Sequence, residues 1–515
     1  MYVKLITLLC LVQITISARI LICLPSPSLS HHLFYRPIIK ELSIRGHDVV
    51  SISPDPINDP TLTNLTEIDI HEETYGAFSV TQWLQDCQTE PESQLNQFRK
   101  YTPQLIKMAE RMLESPKVKA LISNKNEKFD LFIIEMVGYS YLFAFGEHFS
   151  CPVIGLSSLD TTIDGMDAVG NPPDPNYYGS FLVKGGPNLS FWERLEMLRF
   201  LIEYRKYYFF EYLPVLNRIA QNYFNIKTKN MWELQKNVDL LLANTNPVFH
   251  IPKPHVPNYI EIGGLHEREK KPLPQELKTF LDNSPQGVVY FSLGSNVQSG
   301  NLPENTRKSI IEAFKQLPYN VIWKWENSTL ADKPKNVLIK KWLPQQDVLD
   351  HQNIKAFVTQ GGLQSLEEAI RSRVPMIGIP FGGDQEFNVD RIVTLEVGRE
   401  IKFKDITTEL LVESISDVAS NPKYKENVNK LASQIWDQET KPLDRAIWWI
   451  EYVIRHKGAK HLRSPAADLP WHKYLLLDVI GFLLGVLLLI LVTVIYVLRI
   501  LMKYVVSIKS KYKKE

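Results

Sequence analysis

The strongest constraint on this chain is an alternation of two periodicities that recurs along most of its length. ILICL (20–24) is a short, uniformly apolar run that reads as a buried strand. HLFYRPIIKELSIRG (32–46) then shows helical spacing through Leu33, Pro37, Ile38 and Leu42, and DVVSIS (48–53) returns to a strand pattern. FDLFIIEM (129–136) and PVIGLSS (152–158) read as further strands of the same sheet. The second half repeats the pattern with VVYFSLGS (288–295), NVIWKW (320–325), KAFVTQ (355–360) and PMIGIP (375–380), separated by helical stretches such as SLEEAIRSR. Runs this short and apolar have no polar face to turn to water, so they predict parallel strands covered by helices on both faces. The fold class is therefore α/β, with two sheets whose strands end on a shared cleft, the place where open parallel sheets bind ligands.

The chain has 515 residues with 44% hydrophobic content and a formal net charge of +1, enough for two domains and too neutral for a nucleic-acid binder by charge. MYVKLITLLCLVQITISA has the layout of a secretory signal peptide, 1–18. Val479 to Leu498 carries no charge over a length of about 30 Å as a helix, which predicts a transmembrane span. Basic residues from Arg499 to Lys514 follow it and predict a cytoplasmic tail, 499–515, leaving the main body lumenal. Sequons at Asn64, Asn188 and Asn327 agree with that orientation, and the closing KYKKE resembles a dilysine retrieval signal for the endoplasmic reticulum. Of the four cysteines, Cys10 falls in the signal segment, and Cys23, Cys87 and Cys151 allow at most one bridge and have no metal-like spacing.

FVTQGGLQSLEEA (357–369) strips away side chains where a strand hands over to a helix. The residues alone leave two readings open: a tight turn, or an anion held against the free N–H groups of the helix N-terminus. No G-x-G-x-x-G follows the first strand of either half, which argues against a standard dinucleotide site. The Pro- and Gly-rich stretch around 251–270 reads as a linker between a first domain, 19–250, and a second, 271–470. FWERLEMLRFLIEYRKYYFFEYL (191–213) mixes aromatic, leucine and basic residues and reads either as an amphipathic core helix or as a membrane-surface helix.

WLPQQDVLDHQNIKAFVTQGGLQSLEEAIRSRVPMIGIPFGGDQEFN (342–388) resembles the donor-binding signature of the UDP-glycosyltransferases, family 1 glycosyltransferases of the animal, membrane-anchored and insect-like type. FSLGS, SHH and RGHDV extend the resemblance over essentially the whole chain. It implies the GT-B fold, two facing Rossmann-like domains, with the acceptor held by the first and a UDP-sugar by the second. Position by position, it implies that Trp342 stacks on the uracil, Gln345 bonds its edge and Glu368 accepts from the ribose hydroxyls, roles that suit a flat ring, an amide and a carboxylate. Ser365, Gln360 and the peptides after Gly361 and Gly362 would face the diphosphate, with Ser295 reaching it from FSLGS, and Gln364 falls among the donor-binding residues. Asp384 and Gln385 match the pair that holds sugar hydroxyls, and Asn388 completes the spacing.

Inverting sugar transfer to a hydroxyl needs a base, and histidine suits that task near neutral pH. The Ser-His pattern puts the base at His31, with His32 as the alternative and His47 as a structural residue. A carboxylate orients the base in the family, usually Asp; here the position holds Glu135. Gln360 is a second departure, standing where most relatives have His. These departures leave room for a protein that binds a nucleotide sugar, or carries small lipophiles, without catalysis. The chain has no Asp-x-Asp, so neither a bound metal nor another cofactor is expected beyond the UDP-sugar co-substrate. Expected partners are that donor, a small lipophilic acceptor and the membrane; homo-oligomerisation is left open, and glucose is favoured over glucuronic acid as the sugar. The topology has a direct test: protease added to sealed microsomes should trim only the C-terminal tail, and digestion of the body would refute a lumenal orientation.

Overall fold

The computed structural model describes residues 17–89, 93–183 and 185–512, so most of the expected signal segment and the last three residues lie outside the described residues. The first sheet has seven strands in the order β3-β2-β1-β4-β5-β6-β7. These are β1 (Arg19–Cys23), β2 (Asp48–Ser53), β3 (Leu65–Asp69), β4 (Leu131–Glu135), β5 (Val153–Ser157), β6 (Leu240–Ala243) and β7 (Tyr259–Glu261), all parallel to their neighbours. The second sheet has six, in the order β10-β9-β8-β11-β12-β13. They are β8 (Val288–Ser292), β9 (Asn320–Lys324), β10 (Val337–Lys340), β11 (Ile354–Thr359), β12 (Met376–Gly378) and β13 (Gly398–Glu400), again all parallel. The central strands β1, β4, β5, β6, β8 and β11 are almost wholly buried, as runs without a polar face must be.

Helices α1 (Leu29–Ile44), α2 (Phe191–Tyr207), α3 (Leu363–Arg371), α4 (Gln385–Thr394) and α5 (Pro442–His456) position the features that matter below. α2 turns Met197, Leu201, Tyr204 and Tyr207 inward and leaves Phe191, Trp192, Leu195, Leu198 and Ile202 exposed, so it packs through one face as a core helix does and keeps apolar residues on the other. α6 (Leu477–Tyr512), in a separate compact unit that begins at Ser464, is long and apolar enough over Leu477–Lys509 to cross a membrane. The basic residues after Leu498 continue this same helix as far as it is described.

Two domain boundaries differ from the sequence reading. The stretch taken as linker contains β7, which pairs with β6 and completes the first sheet; its proline and glycine content masks a strand of only three residues. α5, assigned by position to the second domain, buries Ala446, Ile447, Ile450 and Val453 in one cluster with Ile20, Ile22, Phe34, Ile38 and Leu42 of the first. The spacing i, i+1, i+4, i+7 gives one apolar stripe, and the first domain offers the surface that covers it. The three described cysteines are free. Replacing fully buried Ile450 by Ala should lower unfolding stability by about 2–5 kcal/mol, whereas Trp448→Ala on the exposed side of α5 should have a much smaller effect. Urea unfolding followed by intrinsic fluorescence would check the contrast, and equal effects would show that α5 is not docked through this stripe.

Candidate active site

Parallel pairing of β1 with β4, with Cys23 opposite Ile134, brings the loop after β1 beside the carboxyl end of β4. Glu135, the last residue of β4, is fully buried there. Its Oε1 accepts from His31 Nδ1 (3.0 Å), Ser26 Oγ (2.7 Å) and Tyr35 Oη (3.1 Å), and its Oε2 accepts from the Ser26 peptide N–H (3.0 Å). Burial pushes this carboxyl up, but the hydrogen bond and charge of His31, with His32 and Ser26, outweigh it and hold the group below its ordinary value. Because Nδ1 of His31 donates to an ionised carboxylate, Nε2 carries the free lone pair, and the ring lines a cavity between the two domains. His32 is committed elsewhere, to the Ser26 carbonyl (2.7 Å) and Ser53 Oγ (3.1 Å). His47 accepts from the Ala18 N–H at the entry to β1, a structural task.

The cavity has a volume of about 180 Å³. On the first-domain side it is lined by Phe78, Trp83, Leu84, Phe98, Leu105, Leu159, Phe181 and Leu182, with Tyr204 from the inner face of α2. On the second-domain side it is lined by Gln360, Gly362, Asp384 and Gln385. Among the described lining residues there is no lysine or arginine.

The opening of α3 shows why the glycines are needed. Gly361 has φ +88°, a left-handed conformation that side chains rarely adopt, and a Cβ there would sit 2.5 Å from Val389 Cγ2. Gly362 is the N-cap and supplies no side-chain cap, so the first-turn N–H groups of α3 have no partner from it. They lie at the cavity, which Gly362 and Leu363 line, with the helix dipole behind them, an arrangement suited to an anion. Gly294, with φ +76°, lies so close to Gln360 that a Cβ would approach Nε2 to 2.3 Å. Gln360 Oε1 is buried without a hydrogen-bond partner.

The other expected donor residues divide by their actual contacts. Trp342 is 58% exposed, leaving a ring face open for a base. Glu368 accepts from Gln345 Nε2 (2.7 Å) and Gln346 Nε2 (3.1 Å); burial raises its pKa and those two amides oppose the rise. Gln345 also donates to Ser365 Oγ and accepts from Tyr290 Oη, so its side chain is engaged within the protein. Asp384 accepts from Asn388 Nδ2 (2.6 Å), and burial raises its pKa while the nearby His31 charge opposes that. Gln385 Oε1 is taken by the N–H groups of Phe381 and Gly382. Ser295 sits partly buried in the loop after β8. Gln364 Nε2 bonds the Ser158 carbonyl of the first domain at 2.9 Å, so this residue makes a contact between domains.

Sequence reasoning missed Ser26, Tyr35 and Asn296. Tyr35 lies four residues after His31 on α1, and that i, i+4 spacing puts both side chains on one face, so the signal was present. Asn296, next to the expected Ser295, donates to Ser28 Oγ across the cleft (3.0 Å).

The family model described as UDP-glucoronosyl and UDP-glucosyl transferase matches residues 19–512. A protein named UDP-glucosyltransferase 2 from Dactylopius coccus is 34% identical, covering 91% of this chain and 90% of its own. UDP-glucuronosyltransferase 2C1 from Oryctolagus cuniculus is 32% identical, covering 88% and 93%. Among solved structures, the glycosyltransferase VinC in complex with DTDP has a TM-score of 0.57 at 16% identity, covering 85% of this chain and all of the other. The glycotransferase of kitacinnamycin has a TM-score of 0.57 at 19% identity, covering 85% and 98%. The architecture is the GT-B fold.

A neutral amide at position 360 makes a weaker bond to a phosphate oxygen than a cation would. Gln360→Ala should therefore weaken UDP binding by roughly 0.5–1.5 kcal/mol, the net worth of one ordinary hydrogen bond. Gln360→His should bind UDP more tightly as pH falls through about 6.5, the ordinary histidine value, because only the protonated ring adds a charge. Calorimetric titration with UDP across that range checks both; binding to Gln360→Ala as tight as to the parent would remove Gln360 from the diphosphate site.

Proposed function

Because the chain belongs to the UDP-glucuronosyl and UDP-glucosyl transferase family and is a UDP-glycosyltransferase, we propose that it transfers glucose with inversion from UDP-glucose to a hydroxyl of a small lipophilic acceptor, with His31 as general base. The observation that carries this reading is the His31 ring at the cavity wall, bonded through Nδ1 to a buried carboxylate. A base in that position takes the acceptor proton at Nε2 as the oxygen attacks the anomeric carbon, and Glu135 stabilises the imidazolium that forms. The bond from sugar to UDP breaks, and the negative charge that develops on the diphosphate falls at the start of α3, at the positive end of the helix dipole.

The aromatic and aliphatic lining on the first-domain side supports a lipophilic acceptor, since such a wall gains from excluding water and offers no charge to a polar one. The lack of lysine or arginine among the described lining residues supports glucose, because a glucuronic acid carboxylate there would be desolvated without a counter-charge. Names of relatives do not discriminate, since glucosyl and glucuronosyl enzymes are similar to this chain to nearly the same degree. The apolar helix over Leu477–Lys509 and the basic residues after Leu498 support a single-pass anchor in the endoplasmic reticulum membrane with the body on the lumenal side.

His31→Ala should cut turnover by about 10² to 10⁴, the usual contribution of a positioned base, and leave UDP-glucose binding nearly unchanged. His32→Ala should be milder for the chemical step, since both ring nitrogens of His32 are engaged within the protein. Turnover of a panel of phenols with UDP-glucose and with UDP-glucuronic acid, measured as UDP release, tests the reading in one experiment. Faster reaction with UDP-glucuronic acid would overturn the sugar, and a fully active His31→Ala would overturn the base.

A further inference from the structure

We infer that Tyr35 is a positioning residue for the reaction: its hydroxyl fixes the Glu135 carboxylate, and through it the His31 ring, in the geometry that transfer requires. The inference rests on the His31–Glu135 reading above and extends it to a residue that touches neither substrate.

The direction of the Tyr35 hydroxyl bond follows from its neighbours. Tyr35 is fully buried, and its Oη accepts the Ser158 peptide N–H at 3.0 Å. That contact occupies a lone pair and fixes the oxygen, so the hydroxyl hydrogen is left to point at Glu135 Oε1, 3.1 Å away. Burial and the adjacent Glu135 charge both push the phenol well above its ordinary pKa, so it remains a donor throughout the working range. Glutamate needs such a partner more than aspartate would. Its extra methylene adds a rotatable bond, and a buried carboxylate with that freedom can turn away from the ring it should orient. Ser26 grips both oxygens from the loop after β1, whereas Tyr35 holds Oε1 from α1, the helix that also carries His31. Base and orienting carboxylate are thus tied to one helical face at i and i+4.

The same contact reaches the second domain. The Ser158 carbonyl, on the residue whose N–H holds Tyr35, accepts from Gln364 Nε2 at 2.9 Å. That carbonyl also accepts from Asn244 Nδ2 of the first domain at 3.0 Å, so the residue that anchors Tyr35 is held from both domains.

Tyr35→Phe is a conservative test, since it keeps the ring packed against Phe34 and His32 and removes one oxygen. In the full-length enzyme it should lower kcat by about 3- to 30-fold, a part of the roughly 10- to 150-fold that one hydrogen bond to a charged group is worth, with calorimetric UDP binding unchanged. Loss of a donor to the ionised carboxylate raises the pKa of Glu135, so the acid limb of the kcat profile should move to higher pH. In a Glu135→Ala background, Tyr35→Phe should lower kcat by less than about 2-fold more, because a residue that acts through Glu135 has nothing left to position. Parental kcat and pH profile in Tyr35→Phe would overturn the inference, and so would an equal loss in both backgrounds. If Glu135→Ala itself turns over like the parent, the His31–Glu135 reading has failed; if Glu135→Ala is impaired and Tyr35→Phe is not, only the inference about Tyr35 has.

Discussion

Everything chemical in this protein depends on strands that all run the same way. Parallel pairing sends the carboxyl end of each strand to one edge of its sheet, so β1, β4 and β5 deliver Ser26, Glu135 and Ser158 to the same place without any long-range design of loops. α1 then drops His31 and Tyr35 onto that edge. The second sheet does the same with β8 and β11, whose ends carry Gly294, Gln360 and the opening of α3. Each half is a rigid, buried layer, and the site is what the two edges hold between them.

The hydrogen bonds that close the cleft use several side chains of the donor signature. Gln364 holds the Ser158 carbonyl, and Glu367 accepts from Asn244 Nδ2 (3.1 Å) and the Gly264 N–H (3.0 Å). Arg391 donates to the Phe249 carbonyl, and Gln88 donates to the Pro380 and Phe381 carbonyls. These are side chain to backbone bonds for the most part, so they fix distance and orientation between the halves while placing few demands on the partner's side chain. One face of α3 thus meets the first domain while its N-terminus stays open for an anion. A signature read as a list of ligand contacts merges the two tasks.

The strands legible in the sequence were those with nothing else to be: uniformly apolar runs such as those of β4 and β8. The edge strands β3, β7, β10 and β13 were not read, because an edge strand has a half-exposed pattern and β7 is three residues inside a Pro- and Gly-rich stretch. The buried β6 was missed because four apolar residues are too few to separate from a helix by pattern. The docking of α5 on the first domain was not legible either, since periodicity tells which face of a helix is apolar and says nothing of which surface covers it. His31 and Glu135 were placed by resemblance, and their 3.0 Å contact is a property of tertiary packing over 104 positions of chain. Spacing alone did not say what Gln345 and Gln364 touch within the protein, because an amide can serve a ligand or a neighbour equally well.

The two departures from the family pattern act on opposite sides of the transferred sugar. Glu135 lengthens the arm that orients the base, and the protein answers with added donors, Ser26 and Tyr35, that leave the carboxylate little freedom. Gln360 removes a potential cation from the leaving-group side, and no lysine or arginine among the described lining residues stands in for it. The chain's own contribution to the diphosphate charge then falls on peptide N–H groups at the start of α3, whose dipole is fixed in place before substrate arrives. Such dipoles are strongest where water is kept out, since the screening that weakens them in solution is lost in a closed, apolar cleft. The domain-closing bonds and the neutral Gln360 therefore belong to one solution: a site without a side-chain cation depends more heavily on being shut.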